Sequence, residues 1–203
     1  TVLVQAVAEP CEDGLRCRHR MRHGENAYDL VLEWRAVPEN AALQVKLWLE
    51  NKPSPRPWFD VHIEDVSLGA WDALPRDVYG GIGNVLREPQ DFSLGFDSHQ
   101  LATAYVGFDF GSGMSLVQGV DVPPTRLEFT RAAKACSLHA GGEQTMTFIP
   151  CANVWDGVSV WAEKIDTRKA AAGVEKLRGK MGFDLWGGRY AETGDALEST
   201  FKY

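Results

Sequence analysis

The sequence predicts a mainly β protein, in which a two-sheet antiparallel sandwich is followed by a helical linker and one βα unit. Three observations lead to this fold class. Apolar residues recur with a period of two along most of the chain, and the runs are short and end at Gly, Pro, Asn or Asp. About ten or more such runs are too many for one flat sheet, so two stacked sheets are expected. Beyond Lys164 the apolar period becomes helical.

Four strands are predicted within the first fifty residues, each from alternation of residue character. The first, third and fourth are expected to be half-buried. In the second, arginines at 16, 18, 20 and 22 form one face and apolar residues, Cys and His form the other. The residues that share the less polar face of each strand are Val2, Val4, Ala6 and Ala8; Leu15, Cys17, His19 and Met21; Tyr28, Leu30, Leu32 and Trp34; and Leu43, Val45, Leu47 and Leu49.

Cysteine and histidine cluster near the amino terminus, where Cys11, Cys17, His19 and His23 lie within thirteen residues. This spacing fits no standard zinc motif, so we interpret Cys17 and His19 as part of a strand face and predict no metal site. The four cysteines of the chain are too few and too irregular for a disulfide framework.

Seven further strands are predicted from the same period, with groups of two or three glycines near 80, 111 and 141 as turns between them. Together with the first four they define a β domain over residues 1–165. The predicted strands are Trp58 to Val66, Gln100 to Phe110, Met114 to Val120, Arg126 to Phe129, Cys136 to His139, Gln144 to Ile149 and Val154 to Lys164.

The last forty residues follow a different pattern. Residues 166–180 are rich in Ala and Lys and predict a helical linker. Residues 181–203 predict a short apolar strand, a glycine turn at Gly187 and a helix capped by Thr193. A single βα unit cannot bury both faces of its strand, so we expect the chain to be a processed or truncated piece. Another chain or the remainder of a larger domain is then expected to cover residues 181–203.

Composition and charge exclude several classes of function. Asp and Glu outnumber Lys and Arg by 28 to 21, and the formal charge of −7 leaves no cationic excess for nucleic acid. No apolar run approaches the ~18 residues that a membrane span requires. The motifs of P-loop NTPases, zinc metalloproteases, α/β hydrolases and thioredoxins do not occur. No nucleic-acid or membrane partner and no cofactor is predicted.

Two segments resemble glycoside hydrolases. Tyr28 to Trp34 followed by Leu43 to Asn51 resembles paired sandwich strands of these enzymes, and Gly182 to Tyr190 resembles the first strand and turn of their barrel. The order of elements is similar to a mutarotase-like supersandwich ahead of a (β/α)8 barrel, as in the alpha-galactosidase and endo-alpha-N-acetylgalactosaminidase groups. The resemblance implies an N-terminal scaffold and one wall of a sugar site, a carbohydrate ligand, and a secreted or periplasmic location. The later barrel strands, which carry the catalytic carboxylates in such families, have no counterpart here.

Three residues of the predicted barrel turn are candidate sugar ligands. Asp184 lies just before the turn, where barrel active sites are built, and it can instead hydrogen-bond the loop backbone. Trp186 can stack on a sugar or pack in a core, and Arg189 can donate several hydrogen bonds. No catalytic residue and no metal ligand is predicted, and the sequence leaves open whether this chain is itself an enzyme.

Other polar and aromatic residues allow two alternative functions. The first is a carbohydrate-binding sandwich that holds sugar on exposed tryptophans, chosen from Trp58, Trp71, Trp155 and Trp161. The second is a mutarotase-type enzyme, which needs a His and a carboxylate converging in a cleft. Asp60, His62 and Glu64 share one strand face, which can serve as a metal or acid–base site or as a solvated face, and the clean alternation favours the solvated face. We interpret His99 and His139 as isolated, satisfied histidines.

Overall fold

The computed structural model describes residues 1–68, 74–80, 85–87, 92–95, 104–122, 124–130 and 135–162. Within these residues the protein is mainly β, as predicted, and its strands are all paired antiparallel. The elements are β1 (Val2–Cys11), β2 (Gly14–His23), β3 (Asn26–Val37), a 3₁₀ turn (Pro38–Asn40), β4 (Ala42–Glu50), β5 (Val66–Ser67), β6 (Asp77–Tyr79), β7 (Val85–Arg87), β8 (Phe92–Gly95), β9 (Tyr105–Asp109), β10 (Ser115–Val120), β11 (Pro124–Thr130), β12 (Ala135–Ala140), β13 (Gln144–Cys151) and α1 (Val154–Val160).

These strands form a large sheet in the order β1-β2-β3-β4-β13-β10-β9-β6-β7 and a small sheet in the order β5-β12-β11-β8. The two sheets share one apolar core. Val45, Phe108 and Met146 of the large sheet belong to the same buried cluster as Leu127 and Leu138 of the small sheet. The predicted sandwich is therefore confirmed for the part of the chain that the structure describes.

The first strand differs from its prediction. Val2 to Pro10 is a strand, but its residues are exposed on both faces rather than half-buried. The reason is its position: β1 is the end strand of the large sheet, and the shared core rests on β4, β13, β10, β9 and β6. Alternation in the sequence indicates a strand, but it does not say whether a second layer covers it.

The segment predicted as a strand from Val154 to Lys164 begins instead as the helix α1, so that part of the prediction is wrong. Asn153 caps the helix, because its side-chain oxygen accepts a 3.1 Å hydrogen bond from the backbone N–H of Asp156. The helix lies on the outer face of the large sheet, where Val154 and Trp161 pack with Val117 and Ile149. Tertiary packing and a helix cap outweigh the β-branched composition of the segment.

The predicted helical linker and βα unit, residues 166–180 and 181–203, lie outside the described residues. Among the residues that are described, no helix is long and apolar enough to cross a bilayer.

Candidate functional site

A groove beside the ends of β2 and β3 combines exposed aromatic rings with polar side chains. Its volume is about 560 Å³, within the range usual for small-molecule sites. The segment after β4 forms one wall, and the β2–β3 hairpin forms the other. The lining residues are Thr1, His23, Tyr28, Arg56, Pro57, Trp58, Phe59, Asp60, Val61, His62 and Glu64.

The wall after β4 was predicted as a strand from Trp58 to Val66, and that prediction is wrong for most of the segment. Only Val66–Ser67 is a strand, while Arg56 and Phe59 form an isolated bridge closed by backbone hydrogen bonds of 2.8 and 3.1 Å. Prolines at 53, 55 and 57 fix their backbone and lack N–H donors, which disfavours regular pairing at the start of the segment.

Burial nevertheless alternates along this segment as the sequence pattern indicates. Val61 is buried, whereas Asp60, His62 and Glu64 are exposed. His62 Nε2 lies 3.0 Å from Glu64 Oε1, and Asp60 Oδ1 accepts a hydrogen bond of 2.7 Å from the N–H of Val61. The solvated-face interpretation is confirmed, and the same exposure leaves these polar groups accessible to a ligand.

The aromatic part of the groove is centred on Trp58, whose residue surface is 79% exposed. Next to it, the ring of Phe59 stacks on His23 with a centroid separation of 5.6 Å and an interplanar angle of 29°. This stack ties the irregular segment to the end of β2. An indole left in water beside a fixed aromatic pair presents a flat apolar face that a ligand can cover.

The other described tryptophans occupy different environments, and Trp34 on β3 is partly buried against the core between the sheets. Trp161 is buried under the large sheet, and Trp155 is exposed on α1 with its ring edge-on to Tyr79 at 5.7 Å. Trp48 lies on the outer face of the large sheet, where Arg16 and Lys46 approach its ring to within 6 Å, at 5.9 and 5.5 Å. Trp71 lies outside the described residues. The tryptophans therefore do not form one common platform among the described residues.

A second polar surface covers the outer face of β2, β3 and β4. Asp29 and Glu33 are carboxylates on the outer face of the sheet, but they are only 3% and 2% exposed. Arginine side chains of β2 lie beside them. Glu33 Oε2 accepts hydrogen bonds of 2.9 and 2.6 Å from Arg16, and Asp29 Oδ1 accepts one of 2.9 Å from Arg20. Arg18 lies between Asp29 and Glu50, which are directly paired across β3 and β4, and it forms ion pairs with both.

These contacts shift the acidity of the carboxyl groups. Hydrogen bonds and charge from Arg16 and Arg35 lower the pKa of Glu33 and outweigh the opposing effect of its burial. Burial would raise the pKa of Asp29, but hydrogen bonds from Arg20 and Asn51 together with the arginine charges lower it below the ordinary value. Because each carboxylate is occupied by protein donors, this surface is better suited to stabilising the sheet than to binding a ligand.

This ion-pair surface was not predicted from the sequence, although a local signal for it exists. The turn at Gly24 and Glu25 pairs His23 with Asn26, and that register places Arg20 opposite Asp29 and Arg16 opposite Glu33. A two-residue hairpin turn fixes the register of its strands. The hairpin turn could therefore have been used to predict that the arginines of β2 lie opposite the acidic residues of β3.

The predicted barrel-turn ligands Asp184, Trp186 and Arg189 lie outside the described residues, as does His99. Cys11, Cys17 and Cys151 are free thiols, and Cys17 and His19 lie on one strand as predicted. No group of three or more His, Cys, Asp or Glu residues suited to a metal ion occurs in the described part of the chain.

Comparison with family models, with curated proteins and with solved structures found no match for this chain.

Proposed function

We propose that this chain binds carbohydrate in the groove at Trp58. The observation that carries the proposal is the exposure of 79% of Trp58 in a groove of about 560 Å³ that also presents polar groups. A sugar ring has an apolar C–H face that stacks on an aromatic ring, and its hydroxyl groups need donors and acceptors at the edge of that stack. The groove offers both kinds of contact.

The polar edge of the groove suits hydroxyl groups. Asp60 and Glu64 supply carboxylate acceptors, and His62 supplies a ring nitrogen 3.0 Å from Glu64. Arg56, on the lining of the same groove, supplies guanidinium donors. Since cationic and anionic groups are both present, the mixture favours a neutral sugar over a strongly charged one.

Replacing Trp58 with Ala is expected to weaken carbohydrate binding by tenfold or more, because the stacking surface is lost. The measurement is retardation of the chain in native gels containing soluble galactan, mannan, xylan or glucan, followed by calorimetry with oligosaccharides of the polymer that retards it. Trp155→Ala, a change at an exposed tryptophan on α1, is the matched control and is expected to bind as the wild type does.

Two results would contradict the proposal. One is the absence of retardation of the wild-type chain by every polymer in the panel. The other is equal retardation of the Trp58→Ala and wild-type chains when both have the same circular dichroism spectrum.

The resemblance to glycoside hydrolases supports a scaffold role for the sandwich within a larger enzyme. In that proposal the sandwich is a scaffold and one wall of the sugar site, and hydrolysis of O-glycosidic bonds depends on a barrel. The comparison to make is turnover of aryl glycosides by this chain and by a chain that continues past residue 203. Robust turnover by the short chain would overturn the assignment of a scaffold role.

The pair of His62 and Glu64 supports a second candidate function, that of a mutarotase-type enzyme. A His and a carboxylate 3.0 Å apart in one groove are the groups that acid–base catalysis of anomer exchange requires. Polarimetry on freshly dissolved galactose or glucose tests this function. The His62→Gln chain is expected to lose any acceleration of anomer exchange. If the groove only binds sugar, the wild-type chain shows no acceleration and His62→Gln still binds the sugar.

A further inference from the structure

A serine, a histidine and an aspartate meet on the outer face of the small sheet, on the side opposite the core. Leu127 on β11 and Leu138 on β12 are fully buried in the core between the sheets. Because side chains alternate along a strand, the neighbouring positions of β11 and β12 point the other way. Those positions hold Arg126, Glu128, Ser137 and His139, and Asp65 approaches them from the residue before β5.

The hydrogen bonds run in series through the imidazole. Ser137 Oγ lies 3.2 Å from His139 Nε2, and His139 Nδ1 lies 3.1 Å from Asp65 Oδ1. Ser137 and His139 are both 8% exposed, whereas the Asp65 side chain at the end of the series is 41% exposed. In the tautomer with its proton on Nδ1, that N–H donates to Asp65 and Nε2 accepts a hydrogen bond from Ser137. His139 is therefore a satisfied histidine, as predicted, but it is not isolated.

Two charged neighbours complete the arrangement. Arg126 Nη2 donates a 2.9 Å hydrogen bond to Asp65 Oδ2, which holds the other carboxylate oxygen toward His139, and the same nitrogen lies 3.2 Å from His139 Nδ1. Glu128 is paired with Ser137 across β11 and β12, and its Oε2 lies 3.3 Å from His139 Nε2. A carboxylate oxygen therefore lies within 3.3 Å of each ring nitrogen of His139.

We propose that Ser137, His139 and Asp65 form an acyl-transfer site that hydrolyses short-chain carboxylic esters. Nucleophile, base and positioning carboxylate are recognised by geometry rather than by order along the chain. This activity is separate from sugar binding at Trp58. A short acyl group is specified because Ser137 is mostly buried, and the surrounding charges favour a polar ester over a long aliphatic one.

The reaction needs only the ester and water. Ser137 Oγ attacks the ester carbonyl carbon while its proton passes to His139 Nε2, and the carbonyl π electrons move onto oxygen. The tetrahedral intermediate collapses, the C–O bond to the alcohol breaks, and the departing alkoxide takes the proton from Nε2. Water then gives a proton to Nε2 as its oxygen attacks the acyl carbon, and Ser137 Oγ leaves and recovers that proton. The products are an alcohol and a carboxylic acid, with no change of oxidation state.

Labelling with diisopropyl fluorophosphate tests the proposal, because the reagent phosphorylates an activated serine and releases fluoride. Intact-mass and peptide-mass measurements on the whole chain are expected to show one adduct, located on Ser137. Ser137→Ala is expected to remove the adduct, and His139→Gln to slow labelling at least about 100-fold. Ser67→Ala is the matched control, because Ser67 pairs with His139 across β5 and β12 but lies outside the hydrogen-bond series, and it is expected to label normally.

Asp65 acts through His139, so its role is that of a positioning residue. Asp65→Asn is expected to slow hydrolysis of p-nitrophenyl acetate and to shift the acidic limb of its pH–rate profile. A merely structural role would change the thermal midpoint and leave that limb in place. The proposal is overturned if the folded wild-type chain takes no adduct, if the adduct lies on another serine, or if Ser137→Ala hydrolyses the ester at the wild-type rate.

Discussion

Replacing Glu33 with Gln is expected to lower the free energy of unfolding by about 2 kcal/mol at pH 7. The amide keeps the shape of the side chain but removes the charge that Arg16 and Arg35 surround. Breaking a fully buried ion pair costs about 3 to 5 kcal/mol. The figure here is smaller because both arginines keep part of their surface in water, which takes over some of their solvation.

The effect of Glu33→Gln is also expected to depend on pH in one direction. The folded pKa of Glu33 lies below its ordinary value, and the unfolded value is about 4.3. A carboxylate with a lowered folded pKa contributes stability that is complete above the unfolded pKa and is lost as the pH falls through the folded pKa. The difference between wild type and variant should therefore be constant from pH 7 to about 5 and shrink at lower pH.

Urea unfolding of both chains at several pH values between 3 and 7 measures this difference. Glu12→Gln is the control, because Glu12 is an exposed carboxylate in the turn between β1 and β2, and its removal is expected to change stability by less than about 0.5 kcal/mol. A difference between Glu33→Gln and wild type that stays the same down to pH 3 would show that the charge of Glu33 is not what stabilises the sheet.

The strands β3 and β4 were predictable from the sequence, but the burial of their outer face was not. A period of two predicted β3 and β4, and Val45 and Leu47 face the core as expected. The same period suggested that Asp29 and Glu33 lie on the solvated face of β3. They do lie on the outer face, but the arginines of β2 and the ring of Trp48 on β4 cover it, and even Val31 between them is fully buried.

The two candidate sites were less predictable because they depend on distant parts of the chain. Asp65 and His139 are separated by 74 residues and meet because β5 pairs with β12, a pairing that no local pattern specifies. Trp58 and His23 lie in different elements, and the path of the proline-containing segment brings them to one groove. The residue types indicated the chemistry available to each side chain. The long-range strand pairing determines which side chains are in contact.

Two glycines beneath helix α1 indicate in the sequence where another element packs closely against the sheet. Gly107 on β9 and Gly119 on β10 lie beneath the helix, where an added Cβ would come within 2.3 Å of Val154 and 2.6 Å of Trp161. A glycine inside a strand often marks the close approach of another element. These two positions were available in the sequence as such a signal, and they predict where a second layer lies on the outer face.

Replacing Gly119 with Ala is expected to lower the free energy of unfolding by about 2 kcal/mol. The added methyl would lie 2.6 to 2.7 Å from three carbons of the Trp161 ring, and a buried indole has little room to move. Overpacking of this kind typically costs about 1 to 3 kcal/mol. The gain from restricting the unfolded chain, about 0.4 to 1 kcal/mol, offsets only part of it. Urea unfolding monitored by tryptophan fluorescence measures the change.

A double-mutant cycle separates this clash from a general loss of strand stability. Trp161→Leu alone removes packing and is expected to destabilise the chain, but in its presence Gly119→Ala should cost at least about 1 kcal/mol less, because the ring atoms that met the methyl are gone. Gly80→Ala is the matched control, since its nearest atom would be a Val106 methyl at 3.2 Å, and it is expected to cost under about 1 kcal/mol. Additive effects of Gly119→Ala and Trp161→Leu would mean that α1 does not rest on β10 through this contact. Coupling between them would establish that the glycine at 119 is what allows the helix to cover the outer face.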